Sequence, residues 1–233
     1  MKLTYKATPN VYELDGVPVA IVLHTTLGSI EGAVEWLRTT PEERQLQTGV
    51  KSYSSAHAVI GRYGEVVELA PVDKGTWHAG RISNPSKRAL DVIPKTFLGG
   101  IKNPNKHTIG LEFASGYDID KDGVLEGWEK LYTKSQIKAA VEYVLTRIEP
   151  QILEKYGVEI TFADANVITH RDVTADKPNL EIQRAMFLAE LNKQRAEQGE
   201  DPVTPPKPKE VTLKVGQKVT IGEVGEDFIQ LKI

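Results

Sequence analysis

Short β-branched and aliphatic runs alternate with stretches of helical period over the first 198 positions. That alternation predicts an α/β fold, a central mixed β-sheet flanked by helices. Residues 1–16 read as polar and irregular. VPVAIVLH, from Val17 to His24, has no polar face and predicts a buried strand. Ser29 can cap a helix carrying Ala33, Val34, Trp36 and Leu37 that stops near Thr40 and Pro41. EERQLQTG after it reads as a loop or a short extra turn. Ser54 to Leu69 predicts two strands joined by a tight turn at Arg62 to Gly64. Residues 81–105 are rich in Pro, Gly, Lys and Asn around an apolar island from Leu90 to Leu98, the pattern of a long surface insertion. HTIGLEF, residues 107–113, is a further buried strand. At Thr133, TKSQ forms a capping box, and Ile137, Val141, Val144, Leu145 and Ile148 keep helical spacing up to Pro150; a second helical stretch runs to about Tyr156. NVITH then makes a core strand, and Leu180 to about Glu197 the last helix, apolar at Ile182, Met186 and Ala189.

The pattern changes at Gly199. Residues 199–210 form a Pro/Lys-rich linker of semi-rigid, extended type, and 211–233 alternate apolar and polar positions with glycines at turns. Two or three strands of this length cannot hold a core alone, so this small C-terminal β appendage is expected to pack on the 1–198 domain or on another subunit. Composition narrows the picture further. The 233 residues are 40% hydrophobic and 26% charged with a formal net charge of -3, enough apolar material for one full core and no basic field to attract nucleic acid. The chain has no cysteine, so disulfides are excluded and a metal site must be built from histidines and carboxylates. The N-terminus has no apolar signal core, and no run of about eighteen apolar residues occurs. Cytoplasmic synthesis without a signal peptide, and no membrane insertion, are the expectations.

Two histidines, His24 and His170, end buried strands. His170 closes the run Val167, Ile168, Thr169 and is followed by Asp172, Asp176 and Lys177. A neutral imidazole with carboxylates at a sheet rim suits Zn²⁺, and three protein ligands would leave a fourth position for water. A surface loop carries an isolated His-x-Asp equally well. Glu112 lies among apolar neighbours, where an ionised carboxylate is costly unless paired or used. Trp77 and His78 together offer a ligand an aromatic wall and a polar group, or form an ordinary core pair. Residues 118–129, DIDKDGVLEGWE, place Asp118, Asp120, Asp122 and Glu129 at calcium-loop spacing with Gly123 at the sixth position; a solvated acidic turn has the same pattern.

The pieces IVLHTT, SSAHAVIGRYGEVVEL, WHAG, HTIGLEF and THRDV followed by DKP, in this order over about residues 15–192, resemble the zinc-dependent N-acetylmuramoyl-L-alanine amidases. That family shares its fold with peptidoglycan recognition proteins and includes phage endolysins. The resemblance implies that His24 and His170 are zinc ligands, that Asp176 is the third, and that Glu112 is the catalytic carboxylate. It implies Lys177 as stabiliser of the developing oxyanion, with His57 second to it, and it puts His57, Trp77 and His78 along the substrate cleft. The loop after His170 is shorter than the family pattern, which leaves Asn179 as an alternative ligand and gives Asp172 an orienting role. The implied substrate is peptidoglycan, cut between N-acetylmuramic acid and L-alanine by a phage-type enzyme acting on the wall after holin-mediated release, with the 81–106 insertion walling the groove. Two other readings remain open: a non-catalytic peptidoglycan-binding module and a zinc hydrolase of another amide.

Overall fold

A computed structural model describes residues 1–26, 28–115 and 132–199, and the backbone of two short tail strands. Six strands form the main sheet: β1 (Lys2–Tyr5), β3 (Ala20–Thr26), β4 (Ala58–Ile60), β5 (Glu65–Glu68), β7 (Thr108–Ala114) and β8 (Val167–Thr169). Their spatial order is β1-β5-β4-β7-β3-β8, and every neighbouring pair is parallel except β4 with β5. The mixed sheet expected from the sequence is therefore present. A separate antiparallel pair joins β2 (Val11–Glu13) to β6 (Lys74–Thr76).

The period of two along β3 sorts its side chains between two faces. Ile21 and Leu23 join Ile109, Leu111 and Phe113 in the core under α4 (Lys134–Tyr143), α5 (Glu149–Tyr156) and α7 (Glu181–Glu197). Val22 points the other way, into a cluster with Ala79, Ala89, Ile93, Ile101, Ile168 and Val173. His24 shares the parity of Val22. On the β4–β5 side, Val59, Val67 and Leu69 are covered by Ala33, Val34 and Leu37 of α1 (Ile30–Arg38). Full burial of Val141 or Val144 against the sheet contributes about 1.5–3 kcal/mol each.

Three readings of the sequence are corrected. The start of the chain is not irregular: Lys2–Tyr5 alternates polar and apolar residues and adds to the sheet edge as β1 by backbone pairing, with all four side chains exposed. Residues 41–48 are a helix, α2 (Pro41–Thr48), with a Thr40/Glu43 capping box and Gly49 closing it at φ 77°. Its buried side is held by Arg44 rather than by an apolar stripe. The Arg44 guanidinium donates to the carbonyls of Trp36, Ser52 and Ser54 and stacks 4.8 Å from the Trp36 ring. The 81–106 segment is not a surface appendage either. It carries α3 (Lys87–Val92) and supplies Ala89, Ile93 and Ile101 to the core, while Phe97 and Leu98 at its tip stay exposed.

Pro150 does not break the long helix. A π-helical turn over Val144–Ile148 joins α4 to α5, and the proline falls in the first turn of α5, where its missing N–H costs little. The acidic 118–129 segment lies outside the described residues. So does most of the 199–233 region, of which only the parallel backbone pairing of Lys209–Glu210 with Ile229–Gln230 is described. Among the described residues no helix is long and apolar enough to cross a membrane.

Candidate active site

Register brings the sequence candidates to one level. In the adjacent parallel strands β3 and β7, His24 is the partner of Glu112, and on the other side of β3, Leu23 pairs with Thr169, so that His170 emerges beside His24. Three neighbouring strands thus deliver His24, Glu112 and His170 to the same end of the sheet. His170 begins the single turn α6 (His170–Val173). Asp172 fixes that turn by accepting hydrogen bonds from the Thr169 backbone N–H (2.8 Å) and hydroxyl (2.9 Å). Burial opposes ionisation of Asp172, but Ser86, Thr169 and Arg88 outweigh it and hold its pKa below the usual carboxylate value. Asp172 therefore acts on His170 through the turn.

His24 Nδ1 lies 2.9 Å from His170 Nδ1, and Glu112 Oε1 lies 4.0 Å from His24 Nδ1. His170 Nε2 is 2.9 Å from the Ala79 carbonyl, which can only accept; Nε2 carries the proton and Nδ1 of the neutral ring is a bare lone pair. Burial, reinforced by the Lys177 charge, lowers the His170 pKa to about 4 against the opposing Ala79 hydrogen bond. Burial also drives His24 well below the ordinary histidine value, helped by His170, His78 and Lys177. Both rings are neutral at pH 7. Two converging imidazole nitrogens of low proton affinity are a donor set that fits zinc. The carboxylate part is not assembled: among the described residues no three His, Asp or Glu side chains are gathered closely enough to hold a metal. Asp176 acts on His170 only through its charge, and Asn179 Oδ1 is used to accept from the Glu181 backbone N–H.

Burial raises the Glu112 pKa to about 7, so this carboxyl is poised to exchange a proton near neutrality. In metal-free protein the native carboxyl holds its proton up to about pH 7, while the unfolded chain releases it near 4.5. The unfolded state binds fewer protons across that window, so stability falls as pH rises through it, by up to about 3 kcal/mol. Glu112→Gln should flatten that fall in urea titrations at pH 5 and 8; an unchanged slope would assign it to other groups.

The other expected cleft residues separate into two kinds. His57 is 1% exposed, and its ring is fully used: Nε2 donates to the Lys74 carbonyl, while Nδ1 faces the Gly110 backbone N–H and the Thr76 hydroxyl. His78 is also buried and sits behind His24, with its Nδ1 2.9 Å from His24 Nε2. Trp77 is 37% exposed, packs against Tyr12 and Tyr53, and with Tyr53, Gly80, Ile82, Asn103 and Asn105 lines a cavity of about 300 Å³. Gly80, in that lining, lies against the His170 ring. Lys177 touches the site through its charge on both histidines.

Sequence reasoning missed three supports. Asn105 Oδ1 accepts from the backbone N–H groups of His78 (3.1 Å) and Ala79 (2.7 Å), fixing the carbonyl that His170 uses. Tyr132 stacks on Phe113 and donates to the His24 carbonyl at 2.8 Å; burial and the neighbouring Glu112 raise its pKa well above the ordinary tyrosine value. Gly110 leaves the space that the His78 ring fills, because a Cβ there would collide with it. Gly110→Ala should cost about 1–3 kcal/mol of unfolding free energy in urea titrations; a neutral substitution would show that the ring is not wedged.

A family model described as N-acetylmuramoyl-L-alanine amidase matches residues 15–179, which contain His24, Glu112, His170 and the supports just described. The chain belongs to this family of peptidoglycan amidases. Solved structures agree on the fold. One is the AmpD crystal structure, prepared as a selenomethionine derivative. It is 19% identical, with a TM-score of 0.51, over 82% of this chain and 94% of its own. The Staphylococcus aureus hydrolase AmiA, crystallised with its ligand, is 18% identical, with a TM-score of 0.51, over 87% of this chain and 88% of its own. No curated protein matches the chain.

Proposed function

We propose that the protein is a zinc-dependent hydrolase of the amide bond between N-acetylmuramic acid and L-alanine in peptidoglycan. The observation that carries this is the convergence of two neutral histidine Nδ1 atoms beside a carboxyl whose pKa burial raises to about 7. His24 and His170 would hold the metal, with Asp176 as third ligand from the loop after α6. Bound zinc would supply the acidity that makes water a nucleophile at neutral pH and would polarise the scissile carbonyl.

The chain's own groups do the rest. Glu112 takes the proton of the attacking water and returns it to the leaving amine, a shuttle suited to a carboxyl that titrates near neutrality. Lys177, whose charge already acts on both histidines, stabilises the negative charge that develops on the carbonyl oxygen. The exposed face of Trp77 receives a sugar ring, while His78 serves from behind by holding His24. Ile82 and Asn103, from the 81–106 segment, wall the same cavity and set stem-peptide preference. Replacing both with alanine should reorder activity on different stem peptides at unchanged zinc content; an identical ordering would remove them from specificity. The phage-endolysin role, with release through a holin, rests on the sequence resemblance.

Dye release from purified, dye-labelled cell walls tests hydrolysis. Release that stops on chelation and returns with added zinc is the expected result. Intact walls despite stoichiometric zinc would favour the non-catalytic binding module.

A further inference from the structure

The cavity beside His170 is lined by one nearly buried amide, only half of which the fold uses. Asn105 is 3% exposed and lines that cavity with Tyr53, Trp77, Gly80, Ile82 and Asn103. The two backbone N–H groups that meet its amide, from His78 and Ala79, can only donate, so the atom they meet is Oδ1 and the orientation of the amide is fixed. Nδ2 is left over. It has no hydrogen-bond partner among the described residues and is not sealed from solvent, and the solvent it meets is that of the cavity Asn105 lines. The main chain behind it is held as well, because Asn103 Oδ1 accepts from the Asn105 backbone N–H at 3.1 Å. A donor so placed costs stability unless something in the cavity accepts from it.

The rest of the lining says what that acceptor is. No side chain in it is charged, so the carboxylates and ammonium groups of a stem peptide would find no counter-charge there. Trp77 packs on Tyr53 with ring centroids 5.1 Å apart, and Tyr53 is 52% exposed; together they offer an aromatic surface to the C–H face of a sugar. A neutral acceptor carried on a sugar ring is the carbonyl of an acetamido group. We propose that Asn105 is a specificity-determining residue whose Nδ2 donates to the acetamido carbonyl of a glycan sugar lying on Trp77 and Tyr53. The inference rests on the amidase reading above and adds the group that the site reads on the glycan, leaving Ile82 and Asn103 to the stem peptide. Two sugars of the strand carry that group, the muramic acid at the scissile bond and the glucosamine next to it.

The test uses the full zinc-loaded chain on purified walls that are native, de-N-acetylated on muramic acid alone, or de-N-acetylated on glucosamine alone. Removing the acetyl group that Asn105 reads should lower the rate at limiting wall concentration by about 3–10-fold, the worth of one neutral hydrogen bond, and chemical re-N-acetylation should restore it. A loss on one preparation only assigns the sugar. Equal rates on all three overturn the proposal without any variant. Asn105→Asp keeps an oxygen for the two backbone N–H groups and replaces the donor with an acceptor. It should invert the order, cutting the de-N-acetylated walls, whose ammonium the carboxylate can pair with, faster than native ones. A folded variant slowed by the same factor on every wall would leave Asn105 a support of the Ala79 carbonyl and nothing more, which also overturns the proposal. Failure to hydrolyse native walls would sink the amidase reading instead. Co-sedimentation of the wild-type chain with the same walls would then decide the subsite: binding that follows acetylation upholds it, and binding that ignores acetylation, or no binding, overturns it.

Discussion

Glu112→Gln lowers wall-lytic activity by about 10²–10⁴-fold while zinc content stays at the wild-type level. Glutamine keeps the size of the side chain and removes only its ability to carry a proton. Glu112 is the register partner of His24, and its Oε1 lies 4.0 Å from His24 Nδ1, which puts a proton acceptor beside the atom proposed to hold the metal. The same burial that raises its pKa to about 7 excludes a role as a permanently charged anchor. The check is dye release from purified walls, alongside zinc measured on the same sample. Activity within about tenfold of wild type would show that Glu112 is not the proton shuttle.

His24→Ala removes zinc more severely than any substitution in its surroundings, with a loss of affinity exceeding about 100-fold and of all measurable hydrolysis. One of the two converging nitrogens disappears, and His78 Nδ1 loses its partner. Asp176→Ala separates the metal set from its supports. With Asp176 as third ligand, zinc retention after dialysis is abolished and the fold, read by far-UV circular dichroism, is unchanged. Full occupancy in that variant would hand the ligand role to another residue. His57→Gln offers a contrast, since that ring is spent on Lys74, Gly110 and Thr76: it should lower stability more than zinc affinity.

The site histidines were legible because each is a polar residue following a β-branched and aliphatic run, although β3 runs on past His24 to Thr26 rather than ending there. Glu112 was legible for the same reason, an acid inside HTIGLEF. The level at which the three meet was not, since it depends on the order β7-β3-β8 and on register, which no local pattern contains. The helix from Thr133 showed its period of 3.6; α7 instead buries Gln183, Arg184, Phe187 and Leu191 and leaves Ile182 and Ala189 exposed, so the apolar face expected of it is not the packed one, while α2 hides its buried side behind Arg44 and β1 pairs only through its backbone. The 81–106 segment looked like surface because its Pro, Gly and Lys outnumber the few apolar residues that pack on Val22 and Ile168. Asn105 and Tyr132 could not be singled out from sequence, because each acts through contacts with residues far along the chain.

Product analysis of the cut bond bears most directly on the central claim. Purified cell walls digested with the full zinc-loaded chain should yield new N-terminal alanine and no new reducing sugar ends. New reducing ends, or a different new N-terminal residue, would contradict cleavage between N-acetylmuramic acid and L-alanine.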